Sequence, residues 1–372
     1  MASSPAHKVV LHIVGARPNF MKVAPIWRAL AGVAGVAQKL VHTGQHYDIQ
    51  MSDVFFRDLG LPAPDVHLGV GSGSHAEQTG RVMMALETVF DAEKPSLVSV
   101  VGDVNSTLAA TLVAAKMNIR VAHVEAGLRS HDRTMPEEIN RVVTDRLADF
   151  LLTPSRDADD NLKKEGVPPE RIFFVGNVMM DSLHAALPQA QALSTLKTMG
   201  LVPQGYAVCT LHRASNVDVR DTLEEMLAAL TALSDEIPVV FPAHPRTRKM
   251  LGEARIAGLQ QTHPGLRVVD PMGYLEFLSL TSRAKLVLTD SGGLQEEATA
   301  LGVPCLTLRE NTERPVTVTE GTNELVGTSG ARIRQAADVV LRTGGKRGRI
   351  PDGWDGHAGE RIAALYSKWL LA

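Results

Sequence analysis

The chain has 372 residues, 44% hydrophobic and 21% charged, which excludes a disulfide-stapled miniprotein, a low-complexity segment and large-scale disorder. At roughly 150 residues per domain the length fits two domains. Lys and Arg number 38 against 41 Asp and Glu, a formal charge of −3, so no global field favours nucleic acid or an anionic membrane, and an anionic partner must be held by a local cluster. No apolar run is long enough to span a bilayer. The two cysteines, Cys209 and Cys305, each sit inside an apolar run, the pattern of buried thiols in a reducing compartment. The cytoplasm is the expected location.

Short β-branched runs alternate with amphipathic helical stretches from end to end, the pattern of parallel sheets covered by helices, so the fold class is α/β. A first set of strands is expected at Lys8 to Val14, Gln38 to Thr43, Ser96 to Val101, Val121 to Val124, Phe150 to Thr153 and Ile172 to Val175. Gly176 to Gly200 then reads as helix without a strand, which puts an interdomain crossover near Gly176. The second set falls at Tyr206 to Leu211, Pro238 to Ala243, Leu266 to Val269, Lys285 to Thr289 and Pro304 to Leu308. Thr343 to Gly356, rich in Gly, Lys and Arg, reads as a surface connection. A last helix over His357 to Ala372 aligns Ile362, Leu365 and Trp369 on a stripe that needs an apolar partner on one lobe or the other. The simplest architecture is two nucleotide-type lobes, residues 1–176 and 177–356, facing each other across a cleft.

In a parallel α/β sheet ligands collect beyond the carboxyl ends of the strands, so the residues just after each strand carry the chemistry. Arg17 and Lys22 follow the first strand at a loop entering a helix, a place for a phosphate; solvated surface cations are the other reading. Asp103 follows Ser96 to Val101 and reads equally as a capping carboxylate. Glu125, at the end of Val121 to Val124, has no obvious structural duty. Glu137 stands three residues after Thr134, as a capping box requires, and four before Arg141, the spacing of a helix-surface ion pair.

In the second half His212 and His244 each follow a strand, where structural and catalytic readings both stand. The strongest anion site is Ser291-Gly292-Gly293, whose paired glycines let a diphosphate approach the leading N–H groups of the next helix. Glu296 and Glu297 lie one turn further on, where a carboxylate can accept a pair of ribose hydroxyls or simply complement the helix dipole. Arg309, Glu310, Glu313 and Arg314 would line the same mouth. Gly71-Ser-Gly73-Ser-His-Ala76 matches a dinucleotide fingerprint only on paper, since no apolar strand directly precedes it. His42 and His46 lack a third ligand for zinc.

The segments GARPNFMKVAPI, TGQHYDIQMSDVFF, GDVNSTLAA, HVEAGLRS, MPEEINR, TLHRASNVD, TDSGGLQEEA and LRENTERPVTVTEGTNELVG together resemble the non-hydrolysing UDP-N-acetylglucosamine 2-epimerases. The resemblance runs from about Val10 to Gly327 and implies two Rossmann-like lobes of the GT-B fold, the active site in the interdomain cleft, and the helix 357–372 returning to the first lobe. It also implies a homodimer, a UDP-sugar substrate, and neither metal nor redox cofactor. Carried over by position, Asp103, Glu125, Glu137 and His212 are the expected catalytic groups. Arg17, Lys22, Arg141, Ser291, Gly292 and Gly293 surround the diphosphate, Glu297 clasps the ribose, Phe277 belongs to the uracil pocket and Arg314 is a further substrate contact. In some bacterial relatives a second nucleotide sugar acts as activator, and Gln45, Asp48 and His244 fall near those positions.

The resemblance also implies a route. The C2 proton of an N-acetylhexosamine is not adjacent to a carbonyl, so a base cannot remove it at neutral pH unaided. Departure of UDP from C1 acidifies it, leaving 2-acetamidoglucal, and protonation on the other face with re-addition of UDP gives the epimer. Inversion needs protic groups on both faces of C2, with at least one carboxyl kept protonated. The alternatives are an epimerase of UDP-2,3-diacetamido-glucuronate, a hydrolysing 2-epimerase, a GT-B glycosyltransferase and a non-catalytic nucleotide-sugar sensor.

Overall fold

The computed structural model describes residues 8–44 and 59–372. Residues 45–58, with Gln45, His46 and Asp48 among them, lie outside these residues, as does the side chain of Arg17. The chain divides into two compact units, Met1–Ser182 with Asp352–Ala372, and Leu183–Pro351.

The first unit is built on β1 (Lys8–Val14), β2 (Val36–His42), β3 (Val66–His67), β4 (Leu97–Val101), β5 (Val121–Val124), β6 (Phe150–Thr153) and β7 (Ile172–Phe174). They form one sheet in the order β3-β2-β1-β4-β5-β6-β7, all pairs parallel. Every residue of β4 and β5 is buried, because helices cover both faces of such a sheet and its strands read as continuous apolar runs. The helices that matter below are α1 (Arg17–Leu30), α2 (His75–Glu93), α3 (Asn105–Lys116), α4 (Pro136–Leu147) and α5 (Val178–Ala192). Ser74 caps α2, its hydroxyl accepting the Glu77 N–H at 3.3 Å while the Glu77 carboxylate accepts the Ser74 N–H at 3.0 Å. The glycines of the paper fingerprint therefore lead into an ordinary capping box.

The second unit repeats the plan with β8 (Ala207–Thr210), β9 (Val239–Pro242), β10 (Leu266–Val269), β11 (Leu286–Thr289), β12 (Cys305–Thr307) and β13 (Asn323–Leu325), in the parallel order β10-β9-β8-β11-β12-β13. Helices α6 (Tyr274–Thr281) and α7 (Gly292–Ala300) flank it. Cys209 and Cys305 are both buried and free, and burial pushes the Cys305 thiol up to about 12. Neither thiol is a nucleophile at neutral pH. Each sheet grows outward in both directions from its first strand, so strand order reverses between β1 and β4 and again between β8 and β11. Such switch points open a crevice beyond the carboxyl ends of the strands, where ligands bind.

The C-terminal segment belongs to the first unit. Its helix α8 (Ala358–Leu371) buries Ile362, Ala363, Tyr366 and Leu370 and packs on α1. The expected stripe is thus rotated: Leu365 and Trp369 lie at its half-buried margin, with the Trp369 ring stacked on Phe150 at 3.6 Å, a contact worth about 0.5–1.5 kcal/mol beyond its area. The Asp181 carboxylate accepts the N–H groups of Ala358 and Gly359 at 3.2 and 2.7 Å, satisfying donors that a helix start leaves without intrahelical partners. Trp354 is buried and donates its indole N–H to the Pro154 carbonyl at 3.1 Å.

This return is threaded through one tight spot. Gly176 has φ +85°, and a Cβ there would stand 2.0 Å from the Gly353 carbonyl oxygen. Gly166 shares the left-handed backbone (φ +79°) but has open space around it. Gly176→Ala should therefore lose about 2–4 kcal/mol of stability, strain and overlap together, whereas Gly166→Ala should lose only about 1 kcal/mol. Denaturant midpoints of the two variants check the difference.

Candidate functional site

In the first unit three segments meet at the β1/β4 switch point. Asn19, in the first turn of α1, accepts the N–H groups of Gly15 and Ala16 at 3.0 Å each and donates to the Val101 carbonyl at 3.1 Å, joining the loop after β1 to the end of β4. One turn further along α1, Lys22 is buried and its ammonium is paired with the Glu125 carboxylate. Glu125 leaves β5 with φ +72°, a left-handed conformation that costs a non-glycine residue about 1–2 kcal/mol, and its N–H and that of Ala126 both donate to the Leu152 carbonyl at 3.0 and 3.1 Å. Strain held this way at a strand end is a feature of functional sites.

Asp103 and Arg141 form the second pair, joining the end of β4 to α4. The capping reading of Asp103 does not hold: α3 begins at Asn105 with no side-chain cap. The pairing of Arg141 with Glu137 does not occur either. Arg141 instead turns to Asp103 and to Glu138, 2.9 Å from its Nη1, because Glu137 lies on the exposed side of the first turn while Glu138 faces inward. Nor is there a capping box at Thr134, since Met135 is the N-cap and the Thr134 hydroxyl donates to Asp132 at 2.6 Å. Glu138 accepts the Ser130 N–H, the Ser130 hydroxyl and the His131 N–H at 2.9, 3.0 and 3.0 Å. Burial pushes its carboxyl up, but these donors and Arg141 outweigh it and hold the group below the usual carboxylate range.

In the second unit the β8/β11 switch point gathers the other candidates. His212, just past β8, is partly exposed, and its Nδ1 lies 2.7 Å from the buried Asp290 carboxylate just past β11. Asp290 also accepts the His212 and Arg213 N–H groups, each at 3.0 Å, and the Asn216 amide at 3.1 Å. Its burial raises the carboxyl, yet the His212 ring and the His212 and Arg213 N–H groups outweigh it and hold the group below its ordinary value. An ionised partner on Nδ1 fixes the imidazole and leaves Nε2 to face a ligand. Ser291 then caps α7, accepting the Leu294 N–H.

Beside this turn lies a compact charge cluster. A Cβ on Gly292 would stand 2.7 Å from a Glu313 carboxylate oxygen and 3.4 Å from the Arg314 guanidinium carbon, whereas one on Gly293 would meet nothing within 4 Å. A side chain at Gly292 would thus have to displace the Glu313 carboxylate, whereas Gly293 leaves the helix start open. Glu313 draws Arg213, Arg309 and Arg314 to 3.3, 2.8 and 3.3 Å, and Arg314 reaches Glu296 at 2.9 Å. Glu310 turns away instead, toward the Thr328 N–H at 3.3 Å. Glu297 is buried and accepts the Tyr274 hydroxyl at 3.2 Å; burial above all, with the Glu296 charge adding to it, raises its carboxyl to about 7. Phe277 is half-buried on α6 against the apolar cluster of Tyr206, Leu280 and Leu294.

Lys22 with Glu125, Arg141 with Asp103, and Ser291 to Gly293 with Arg314 are therefore brought together in pairs, while Glu137 stands apart on the surface of α4. Asp290, Tyr274, Asn19 and, among the partners of Glu313, Arg213 escaped the sequence reading. Only Asp290 had a signal, an Asp between strand and helix in line with a His one strand over.

The profile of UDP-N-acetylglucosamine 2-epimerase matches residues 28–367. The UDP-N-acetylglucosamine 2-epimerase of Methanocaldococcus jannaschii is 42% identical over 96% of this chain and 99% of its own. The UDP-2,3-diacetamido-2,3-dideoxy-D-glucuronate 2-epimerase of Pseudomonas aeruginosa is 44% identical over the same shares, 96% and 99%. The crystal structure of the M. jannaschii enzyme in complex with UDP-GlcNAc and UDP superposes with a TM-score of 0.87 at 41% identity, covering 97% of this chain and 99% of that one. Two parallel Rossmann-like sheets of this topology, matched over nearly the whole length, make the chain a member of the UDP-N-acetylglucosamine 2-epimerase family.

Proposed function

We propose that the chain interconverts UDP-N-acetylglucosamine and UDP-N-acetylmannosamine by elimination and re-addition of UDP. The observation that carries this reading is the pairing of Asp103 and Glu125 with Arg141 and Lys22 at the switch point of the first unit; within the second unit, the Ser291–Gly293 turn and Glu297 suit a nucleoside diphosphate. UDP leaves C1 with the bonding pair, a carboxylate takes the C2 proton, and the C–H pair becomes the C1–C2 double bond of 2-acetamidoglucal. A second acid then protonates C2 on the other face while a β-phosphate oxygen re-forms the bond to C1. Every electron returns to where it began, so no electron carrier is needed. His212, held by Asp290, and Arg314 serve the departing diphosphate, where one well-placed donor is worth about 3–4 kcal/mol. Arg17 belongs to the same proposed group, Glu137 shares the proton traffic, and Phe277 stacks on the uracil.

We also propose that the chain works as a cytoplasmic homodimer, on the strength of the family resemblance. No helix among the described residues is long and apolar enough to cross a membrane. The P. aeruginosa relative supports a second reading, in which UDP-2,3-diacetamido-glucuronate is the preferred sugar.

Incubation with each nucleotide sugar in D2O, followed by NMR, should give deuterium at C2 together with the 2-epimer, and the better substrate decides between the two sugars. Free sugar, or binding without exchange of either sugar, overturns the proposal. Glu125→Gln should lower turnover by about 10²–10⁴-fold and leave UDP binding intact.

A ribose diol donates its hydroxyls best to an ionised carboxylate. With the Glu297 carboxyl at about 7, UDP binding should release protons at neutral pH and strengthen on the order of tenfold from pH 6 to pH 8, levelling off above. Calorimetry in two buffers of different ionisation enthalpy reads the release. Glu297→Gln should remove this part and leave only that of the UDP phosphate.

A further inference from the structure

Behind the first unit's candidate carboxylates lies a polar network that none of the proposed chemistry uses. His123, in the middle of β5, is fully buried, and both its ring nitrogens face oxygens: Nδ1 lies 2.6 Å from Asp145 on α4, and Nε2 lies 2.8 Å from the Gly102 carbonyl, the peptide that leads into Asp103. The other Asp145 oxygen accepts the Gly127 N–H at 3.0 Å and the Arg129 guanidinium at 2.7 Å. Burial pushes Asp145 up, but the His123 ring and Arg129 outweigh it and hold the carboxyl below its ordinary value. The ring is thus held between two acceptors, a carboxylate and a carbonyl.

One carboxylate thus joins three segments: residues 102–103 through the His123 ring, residues 127–129 directly, and its own helix. Those segments carry Asp103 and Glu137 with Arg141, and Glu125 lies between His123 and Gly127. Stability does not explain the arrangement, because a buried ionic cluster is commonly matched or exceeded by apolar side chains of the same volume. It does set three backbones in register at hydrogen-bond precision, which is what acids acting on one carbon atom require.

We propose that His123 and Asp145 are positioning residues of this site: the ring, clamped between Asp145 and the Gly102 carbonyl, fixes where Asp103 and Glu125 stand relative to each other. The proposal rests on the epimerase reading and is tested so that the two can fail separately. His123→Phe keeps a ring of similar shape and removes both ring nitrogens. It should lower kcat by about 10²-fold and change KM and the UDP affinity much less, because the proposed second-unit contacts to the diphosphate and ribose, Ser291 to Gly293, Arg314 and Glu297, lie outside this network. His123→Gln, whose amide can still donate toward Gly102, should recover much of the loss. Asp145→Asn, nearly isosteric, supplies the same comparison if the Phe variant does not fold. Hydrogen exchange should quicken at the amides of 102–105 and 125–129 in the Phe and Asn variants and stay unchanged in the second unit.

A kcat near the unaltered value in a folded variant, or a loss that vanishes well below its Tm, overturns the proposal, as does unchanged exchange at those amides. If the unaltered chain exchanges no C2 hydrogen, the epimerase reading fails, and the amide exchange alone decides the positioning.

Discussion

Carboxylates and cations at the ends of buried strands lose most of their hydration, and each has to find its opposite or remain costly. That requirement organises both halves of the chain. Glu125 has Lys22, Asp103 and Glu138 share Arg141, Asp290 has His212, and Glu313 and Glu296 divide Arg213, Arg309 and Arg314 among them. Pairs of this kind add little net stability, but removing one partner strands the other and costs about 3–5 kcal/mol. On the proposed function, a diphosphate reaching the second unit would compete with Glu313 and Glu296 for guanidinium groups already in place, and these acids would have preorganised the cations for it.

The same tension between chemistry and stability is visible in the backbone. Glu125 occupies a left-handed conformation that a glycine would take at less cost, and it is held there by the two N–H groups that share the Leu152 carbonyl. The sheet order explains why this strain collects where it does. Strands β1, β4 and β5 run side by side and parallel, so the loops beyond them are forced to the same edge.

Much of this was legible in the sequence, and the exceptions have physical reasons. Buried parallel strands are continuous apolar runs, which is why β1, β4, β5 and β6 stand out. Strands β3 and β13, two and three residues long, are defined by their pairing and carry no pattern of their own. The C-terminal stripe was displaced because Ile362, Leu365 and Trp369 are its large apolar residues, whereas the buried face is set by Tyr366 and Ala363, whose hydroxyl and small size hide their role. Thr134 and Glu137 have the spacing of a capping box, but the helix starts at Pro136, too late for Thr134 to serve as its cap. The carboxylates at strand ends were exposed to sequence reasoning by position. Most of their supports were not: Asp290 offered only its place between strand and helix, and His123 looks like an interruption in an apolar strand until its three-dimensional partners are known.

The segment Asp352–Ala372 completes the unit that the beginning of the chain starts, and this has a bearing on biosynthesis. On a translating ribosome, α1 emerges long before α8, with the whole of residues 183–351 made in between. Until the last helix appears, the flank of α1 and the Phe150 ring lack their cover, so the earlier unit must wait, sticky and open, while the later one is free to fold first. Nascent chains stalled before Trp354 should accordingly draw chaperones to the amino-terminal half.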